Sequence, residues 1–492
     1  MNDKIVTGKI LKERGWPEGK IIGFAKAAAQ ALSTQGMERE VILDKLDEVR
    51  ASPNEYLEDA VFAAVASESL RREKDAARLL DDTIPQETEA GEEIVSTLRE
   101  APLEYSVWGA GGIDAGAVEQ MQNSLRLPVA VAGALMPDAH VGYGLPIGGV
   151  LATHESVIPY AVGVDIACRM RLSVYDVSPI ILGQHKTKYS NAILDNTKFG
   201  AGKTWSGKDR AQHEVIDEVA WKQTPLLRSL QAKAAEQLGT SGSGNHFVEW
   251  GAFELETDST ELGLKAGKYL ALLSHSGSRG VGFKIANEYS RIAMSLHPRL
   301  DKAVRHLAWL PLERAVGLEY WHAMELAGRF ASANHWIIHQ RVAAAAGLQE
   351  IASVENHHNF AWKEKLENGD EAIVHRKGAT PAGAGVLGVI PGSMGDAGYV
   401  VAGKGVASSL NSASHGAGRK MGRKAALSVL TKSMRDDYLK KRGVTLLGGG
   451  LDESPQAYKD IETVIAAQDE LVTVLGKFTP KIVKMASEAG DV

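Results

Sequence analysis

The chain has 492 residues, 44% apolar and 24% charged, and its 61 acidic against 55 basic side chains leave a net charge of −6. That length exceeds a single compact core and predicts one large domain with an appendage, while the acid excess excludes bulk electrostatic attraction to nucleic acid, so any such binding must rest on locally placed cations. A lone cysteine, Cys168, excludes an internal disulfide and points to a reducing compartment, with the cytoplasm expected. The first residues lack an apolar signal core, and no uncharged apolar run approaches membrane-spanning length; no membrane partner is expected.

In chain order, helical spacing predicts helices over residues 21–32, 41–49 and 56–80. The third carries the ladder Leu57, Val61, Val65 behind a Pro53-Asn54 start signal. An acidic run around Pro85 (Asp81, Asp82, Glu87, Glu89, Glu92, Glu93) predicts an exposed linker. Residues 1–100 are thus expected to form a small helical appendage without chemistry. From about Glu104 short apolar runs alternate with Gly, Pro, Ser and Asp, predicting strands at 128–132, 157–166, 247–253, 269–273, 372–374 and 398–402. A long helix is expected over 312–346 and a last one over 458–478, the latter carrying Ile461, Val464, Ile465, Leu471 and Leu475. The fold class is α/β in the broad sense (α+β), with a mixed-sheet core over residues 101–492.

Asp165 and Cys168 stand three apart at the end of the predicted 157–166 strand, a spacing that one turn can aim at a single point. Histidines recur inside glycine- or proline-framed turns: His140 closes Met136-Pro-Asp-Ala-His140, His246 follows Gly239-Thr-Ser-Gly-Ser-Gly-Asn245, His275 precedes Ser276-Gly-Ser-Arg-Gly280, and His358 precedes Asn359. A lone cysteine is ordinarily a small buried apolar residue, and a lone histidine ordinarily a surface or core one. The recurrence in turns instead makes thiolate, carboxylate and imidazoles a transition-metal ligand set, with Zn²⁺, Fe²⁺ and Mn²⁺ open.

Glycine-rich loops expose backbone N–H groups to an anion, and four occur, at 239–244, 276–282, 391–395 and 416–418. Each alone is a tight turn in a glycine-rich chain. The last is expected to open a helix that places Arg419 and Arg423 on one face, and His375-Arg-Lys-Gly-Ala-Thr380 adds two cations. With the metal set these loops predict metal-assisted phosphoryl or nucleotidyl transfer. His415, just ahead of Gly416-Ala-Gly-Arg419, is the candidate nucleophile, because imidazole can take up a phosphoryl group covalently.

Seven ordered blocks, Gly163-Val-Asp-Ile-Ala-Cys-Arg-Met170, Gly244-Asn-His246, His275-Ser-Gly-Ser-Arg-Gly280, His358-Asn359, His375-Arg-Lys-Gly-Ala-Thr380, Pro391-Gly-Ser-Met394 and His415-Gly-Ala-Gly-Arg419, resemble the signatures of the RtcB family. These are GTP- and manganese-dependent RNA ligases that join 3′-phosphate or 2′,3′-cyclic phosphate ends to 5′-hydroxyl ends in tRNA splicing or RNA repair. The resemblance implies that Cys168 bridges two Mn²⁺ ions, with Asp165 and His246 at one and His275 and His358 at the other. It implies that His415 carries GMP, and that Asn245, Glu249, Asn359, Pro391, Gly392, Ser393, Met394, Gly416, Gly418, Arg419, Tyr458 and Lys484 contact the nucleotide or support its site. RNA ends are the implied partners, a helper protein serves some members, and a monomer or weak dimer is expected. Residues 15–19 (Gly-Trp-Pro-Glu-Gly) are similar to an extension on some members. The chain departs from the family at Ala167 and Arg169, where glycines are usual, and at His357 and Trp362; Arg169 is expected at a phosphate or narrowing the substrate entrance. The alternative functions are a metal-dependent RNA-end phosphoesterase, a nucleotidyltransferase without efficient ligation, or a non-catalytic RNA-binding protein, the last disfavoured by the acidic charge and 6% aromatic content.

Overall fold

The structure, a computed structural model, describes residues 6–14, 16, 20–51, 56–57, 59–69 and 93–486. They fall into two compact units, one within residues 1–90 and one within 91–488. The first is helical, with Gly8–Glu13, Lys20–Thr34 and Arg39–Ala51 closing over Leu11, Trp16, Ile21, Ile42, Leu46 and Val65. Burying the Trp16 indole is tolerable because its Nε1–H donates to Asp47 Oδ1 at 2.7 Å. Of the third expected helix, residues 63–69 are helical; residues 70–80 and the acidic run up to Glu92 lie outside the described residues, as do 15 and 17–19. Leu57 is exposed rather than part of a buried ladder.

The larger unit is an α/β fold built on two mixed sheets. A five-stranded sheet runs Ser106–Val107 (β1), Ala130–His140 (β2), Ile147–Thr153 (β3), Glu371–Lys377 (β11), Asn359–Lys365 (β10). Two short pairs join Ser156–Val157 (β4) to Leu310–Pro311 (β8) and Ala379–Pro381 (β12) to Ser412–Ser414 (β15). The eight-stranded sheet orders Leu387–Ile390 (β13), Gly398–Gly403 (β14), Val472–Met485 (β17), Phe247–Leu255 (β6), Gly267–Ser276 (β7), Arg169–Tyr175 (β5) and Glu350–His357 (β9), with Thr445–Gly448 (β16) parallel to β17.

The alternation of β5 decides what faces what. Met170, Leu172 and Val174 pack with Val389, Val400 and Phe478 on one side of the large sheet. Arg169, Arg171, Ser173 and Tyr175 take the other side, beneath the helix Ala315–Ala346. That helix is the expected long one; Ala323, Ala327 and Ala331 are fully buried in the main core, and Gly347 at φ 68° ends it in the left-handed conformation. No helix among the described residues is long and apolar enough to cross a membrane.

Three expectations are overturned. Residues 157–166 are not a strand: Pro159, at the first helical turn, starts the short helix Pro159–Val162 and Gly163 at φ 100° ends it, so Asp165 and Cys168 sit in the turn before β5. The helix expected over 458–478 is confined to Ile461–Ala466, and from Val472 the chain becomes β17, held between β14 and β6. A buried apolar run does not declare its own period. Here Gly476 admits the Phe253 ring, which would stand 2.6 Å from any added Cβ, and that closeness requires the sheet. Finally, the helix expected to open at 416–418 starts only at Arg423.

Candidate active site

In an antiparallel sheet the starts and ends of neighbouring strands share one edge, and the predicted ligands collect there. Asp165 and Cys168 precede β5, His246 precedes β6, and His275 is the last but one residue of β7. His358 is the single residue between β9 and β10, where the chain crosses from the large sheet to the small one. Cys168 Sγ lies 3.4 Å from His246 Nε2 and 3.0 Å from His275 Nε2, and His275 Nε2 lies 3.2 Å from His358 Nε2. Asp165 Oδ2 is 2.8 Å from His246 Nε2. Two ligand groups result, Asp165–Cys168–His246 and Cys168–His275–His358, sharing the sulfur.

The protonation pattern tests whether this set suits a cation. His246 Nδ1 meets Ser241 O at 2.9 Å and His275 Nδ1 meets Asn245 O at 3.1 Å. A carbonyl can only accept, so each Nδ1 carries a proton, and in a neutral His275 the Nε2 lone pair is turned toward the sulfur. A carbonyl behind an imidazole is the usual outer support of a metal ligand, and both His246 and His275 have one. Burial, joined by neighbouring imidazoles, holds His275 and His358 well below the ordinary histidine range, keeping them neutral. Burial, reinforced by Asp165, pushes the Cys168 thiol well up; a bound cation would reverse this. The residues fit a pair of divalent ions.

His415 follows β15 and stands beside this centre, its ring 4.9 Å from that of His358. Its partner is Asp138, a residue that sequence reasoning does not single out. One oxygen of that fully buried carboxylate, Oδ2, accepts from His415 Nδ1 at 2.6 Å and from the backbone N–H groups of His415 at 3.1 Å and Gly416 at 3.3 Å. Burial alone would raise the Asp138 pKa, but the His415 imidazole outweighs it and the carboxyl stays below its ordinary value. Gly418, at φ 71°, brings the loop onto Asp138 O, which would stand 2.1 Å from any Cβ there. The signal in the sequence is the carboxylate inside Met136-Pro-Asp-Ala-His140, two residues before the histidine.

These groups line a cleft of about 1000 Å³. On its walls are Asp165, Cys168, His275, His358 and His415, together with Asn245, Asn359, Pro391, Gly392, Ser393, Met394, Gly416, Gly418, Arg419 and Tyr458. Asn359 braces the centre, its Nδ2 donating to Asp165 O at 3.2 Å and its Oδ1 accepting from Gly378 N at 2.8 Å. Arg419 and Arg423 converge on Glu453, although no helix carries both. His246 is buried behind the wall. Glu249 is buried on β6, its carboxyl pushed well up by burial. Lys484 is not on the wall: strand alternation turns it toward the Phe199 ring, 5.7 Å away, and Met485 faces the cleft instead. Arg169 also points elsewhere. It pairs with Glu355 and donates to Gly328 O at 3.2 Å, so it neither narrows the entrance nor reaches a phosphate.

The RtcB family profile, described as tRNA-splicing ligase RtcB, matches residues 120–485. The chain belongs to the RtcB family. This member is 32% identical over 411 residues to the RNA-splicing ligase RtcB of Escherichia coli strain K12, an alignment covering 77% of this chain and 96% of that one. It is 32% identical over 426 residues to the tRNA-splicing ligase RtcB of Thermococcus kodakarensis, covering 72% and 87%. With RNA-splicing ligase RtcB homolog 1 of Entamoeba histolytica it shares 29% over 421 residues, covering 72% and 80%. All seven signature blocks of this RtcB-family chain lie inside the matched span, and so does the whole cleft except its 111–114 edge.

Proposed function

We propose that the protein is an RNA ligase that joins a 3′-phosphate or 2′,3′-cyclic phosphate end to a 5′-hydroxyl end at the expense of GTP. The observation that carries this reading is His415, held by a buried carboxylate beside a shared-thiolate pair of metal-ligand groups. Asp165, Cys168 and His246 would hold one Mn²⁺ ion and Cys168, His275 and His358 the other; bound there, the ions offset phosphate charge as it shifts during transfer. Because Asp138 accepts the Nδ1 proton of His415, the Nε2 lone pair is left free as the nucleophile. It attacks the α-phosphorus of GTP, the N–P bond forms, the bond to the β-phosphate oxygen breaks, and pyrophosphate leaves. A cyclic end is first opened by water, which breaks the bond to the 2′-oxygen and leaves a 3′-phosphate. The 3′-phosphate oxygen then takes GMP from His415, and the 5′-hydroxyl, giving up its proton to solvent, attacks the activated 3′-phosphorus with GMP as leaving group. Pro391–Met394, Gly416, Gly418, Arg419, Tyr458, Asn245 and Asn359 form the nucleotide walls, with Glu249 supporting them from within β6.

In this reading residues 101–492 are the catalytic domain, residues 1–100 an appendage, and the protein a cytoplasmic monomer or weak dimer. The names of the relatives and the lone thiol set among imidazoles support it. Mass spectrometry after incubation with GTP and Mn²⁺ tests it. The expected product is one GMP adduct at His415, lost in His415→Ala. A wild-type protein that acquires no GMP across divalent ions ends the ligase reading, and strand shortening or a merely opened cyclic phosphate in place of a longer strand would favour a phosphoesterase.

A further inference from the structure

The cleft carries one feature that the ligase chemistry leaves unused: an aromatic side chain standing in the open on a braced loop. Tyr143, in the β2–β3 loop, is 73% exposed although it lines the cleft. Val141 and Val164, 53% and 41% exposed, line it too, so this wall is apolar where the centre is polar. Exposed apolar surface inside a functional cleft marks a place that something covers. The loop is braced on both sides of the ring. Gln120 clasps Gly142 through both its amide atoms, at 2.9 and 2.5 Å, and Lys377 Nζ donates to Tyr143 O. Gly144 follows at φ 71°, with Leu307 Cδ2 only 3.2 Å from where a Cβ would stand. The ring itself meets the His306 edge at 6.3 Å and 78°, and His306 rests on Tyr160 at 4.9 Å and 66°. A tyrosine has only two side-chain torsions, so on a braced loop it gives up little conformational entropy on binding a flat partner.

Its location defines the partner. Lys377 links Tyr143 to the centre: its Cε lies 3.8 Å from the Cβ position of Gly163, as does Asn359, which bonds Asp165 O. A terminal phosphate over the metal ligands therefore leaves its own nucleoside within reach of this wall, while Pro391–Met394 and Gly416–Arg419 are committed to the other nucleotide. We infer that Tyr143, edge-supported by His306 and Tyr160, is the stacking platform for the terminal nucleobase of the 3′-phosphate RNA strand. Stacking tolerates every base, so the platform positions the end without reading its sequence. The inference rests on the ligase reading for the identity of the RNA end.

The test uses the full chain with Mn²⁺ and a short single-stranded RNA bearing 2-aminopurine at its 3′-phosphate terminus. Wild-type protein is expected to quench the terminal base, and Tyr143→Ala to abolish the quench and weaken binding about 10-fold. Tyr143→Phe keeps the ring and is expected to bind and quench like wild type. An RNA with an abasic 3′ terminus should bind wild-type protein as weakly as the base-bearing RNA binds Tyr143→Ala. Equal quenching by Tyr143→Ala and wild type, or an abasic end bound as tightly as a normal one, overturns the platform. Absence of GMP labelling in wild type is read separately and removes the ligase chemistry, not the stacking.

Discussion

Asp138 and His415 show how much of this site turns on single atoms. One carboxylate oxygen accepts the imidazole proton and two backbone N–H groups, so it fixes the ring's tautomer and the loop's path together. Asp138→Asn keeps an oxygen for the three N–H groups that Oδ2 accepts but removes the negative charge that backs the imidazole as it takes up GMP. Self-labelling with GMP is expected to slow about 100-fold or more, while circular dichroism stays that of wild type; an unchanged labelling rate would refute the pairing's role. Glu249 makes a different prediction. Burial raises its carboxyl above the ordinary 4.5, so between that value and the raised one the folded chain keeps a proton that the unfolded chain has lost. Folding stability tied to this group is intact below pH 4.5 and drains away as pH rises. Glu249→Gln, which cannot ionise, should show a shallower fall in Tm between pH 4.5 and 7, and parallel curves for the two proteins would contradict the assignment. Residue types were legible at this scale: a cysteine, an aspartate and histidines in glycine-framed turns were enough to name the ligands. Directions were not, and Arg169 and Lys484 both point away from the cleft because strand alternation, invisible in composition, assigns each its face.

Turns, more than strands, shape the centre. Gly277 lies between β7 and the helix Arg279–Leu296, and a Cβ there would stand 2.2 Å from Asp165 Oδ1. Gly277→Ala should displace that carboxylate and weaken Mn²⁺ binding at least about 10-fold by titration calorimetry, with secondary structure unaltered; wild-type affinity would show that Asp165 is not held there. The same reasoning explains which elements were readable. The helix Ala315–Ala346 and the strands β6 and β7 carry long, consistent periods and were anticipated closely. The short helix Pro159–Val162 and the strand β17 were not, since four residues carry no period and a buried apolar run fits either structure.

Across the whole molecule, the ligands come from the turn before β5, the start of β6, the end of β7 and the junction of the two sheets. An ion bound to all of them ties together parts of the fold that the unfolded chain holds far apart. Mn²⁺ at 100 times its Kd should stabilise the protein by about 2.7 kcal/mol. The expected result is a Tm several degrees higher than after chelation, and no such gain in His275→Ala; a melting curve indifferent to Mn²⁺ would argue against the centre. The amino-acid sequence by itself determined the inventory: the seven ordered blocks, the lone thiol, the histidine ahead of a glycine turn, and a mixed α/β core. Those are local properties of residue type and spacing, and they survive without knowledge of contacts. Only the tertiary structure decided that Asp138 holds His415, that Met485 rather than Lys484 faces the cleft, and that Tyr143 stands open on its wall. Each of these depends on which backbone lies against which across hundreds of residues, and strand register and glycine-permitted close approach, not local preference, fix that outcome.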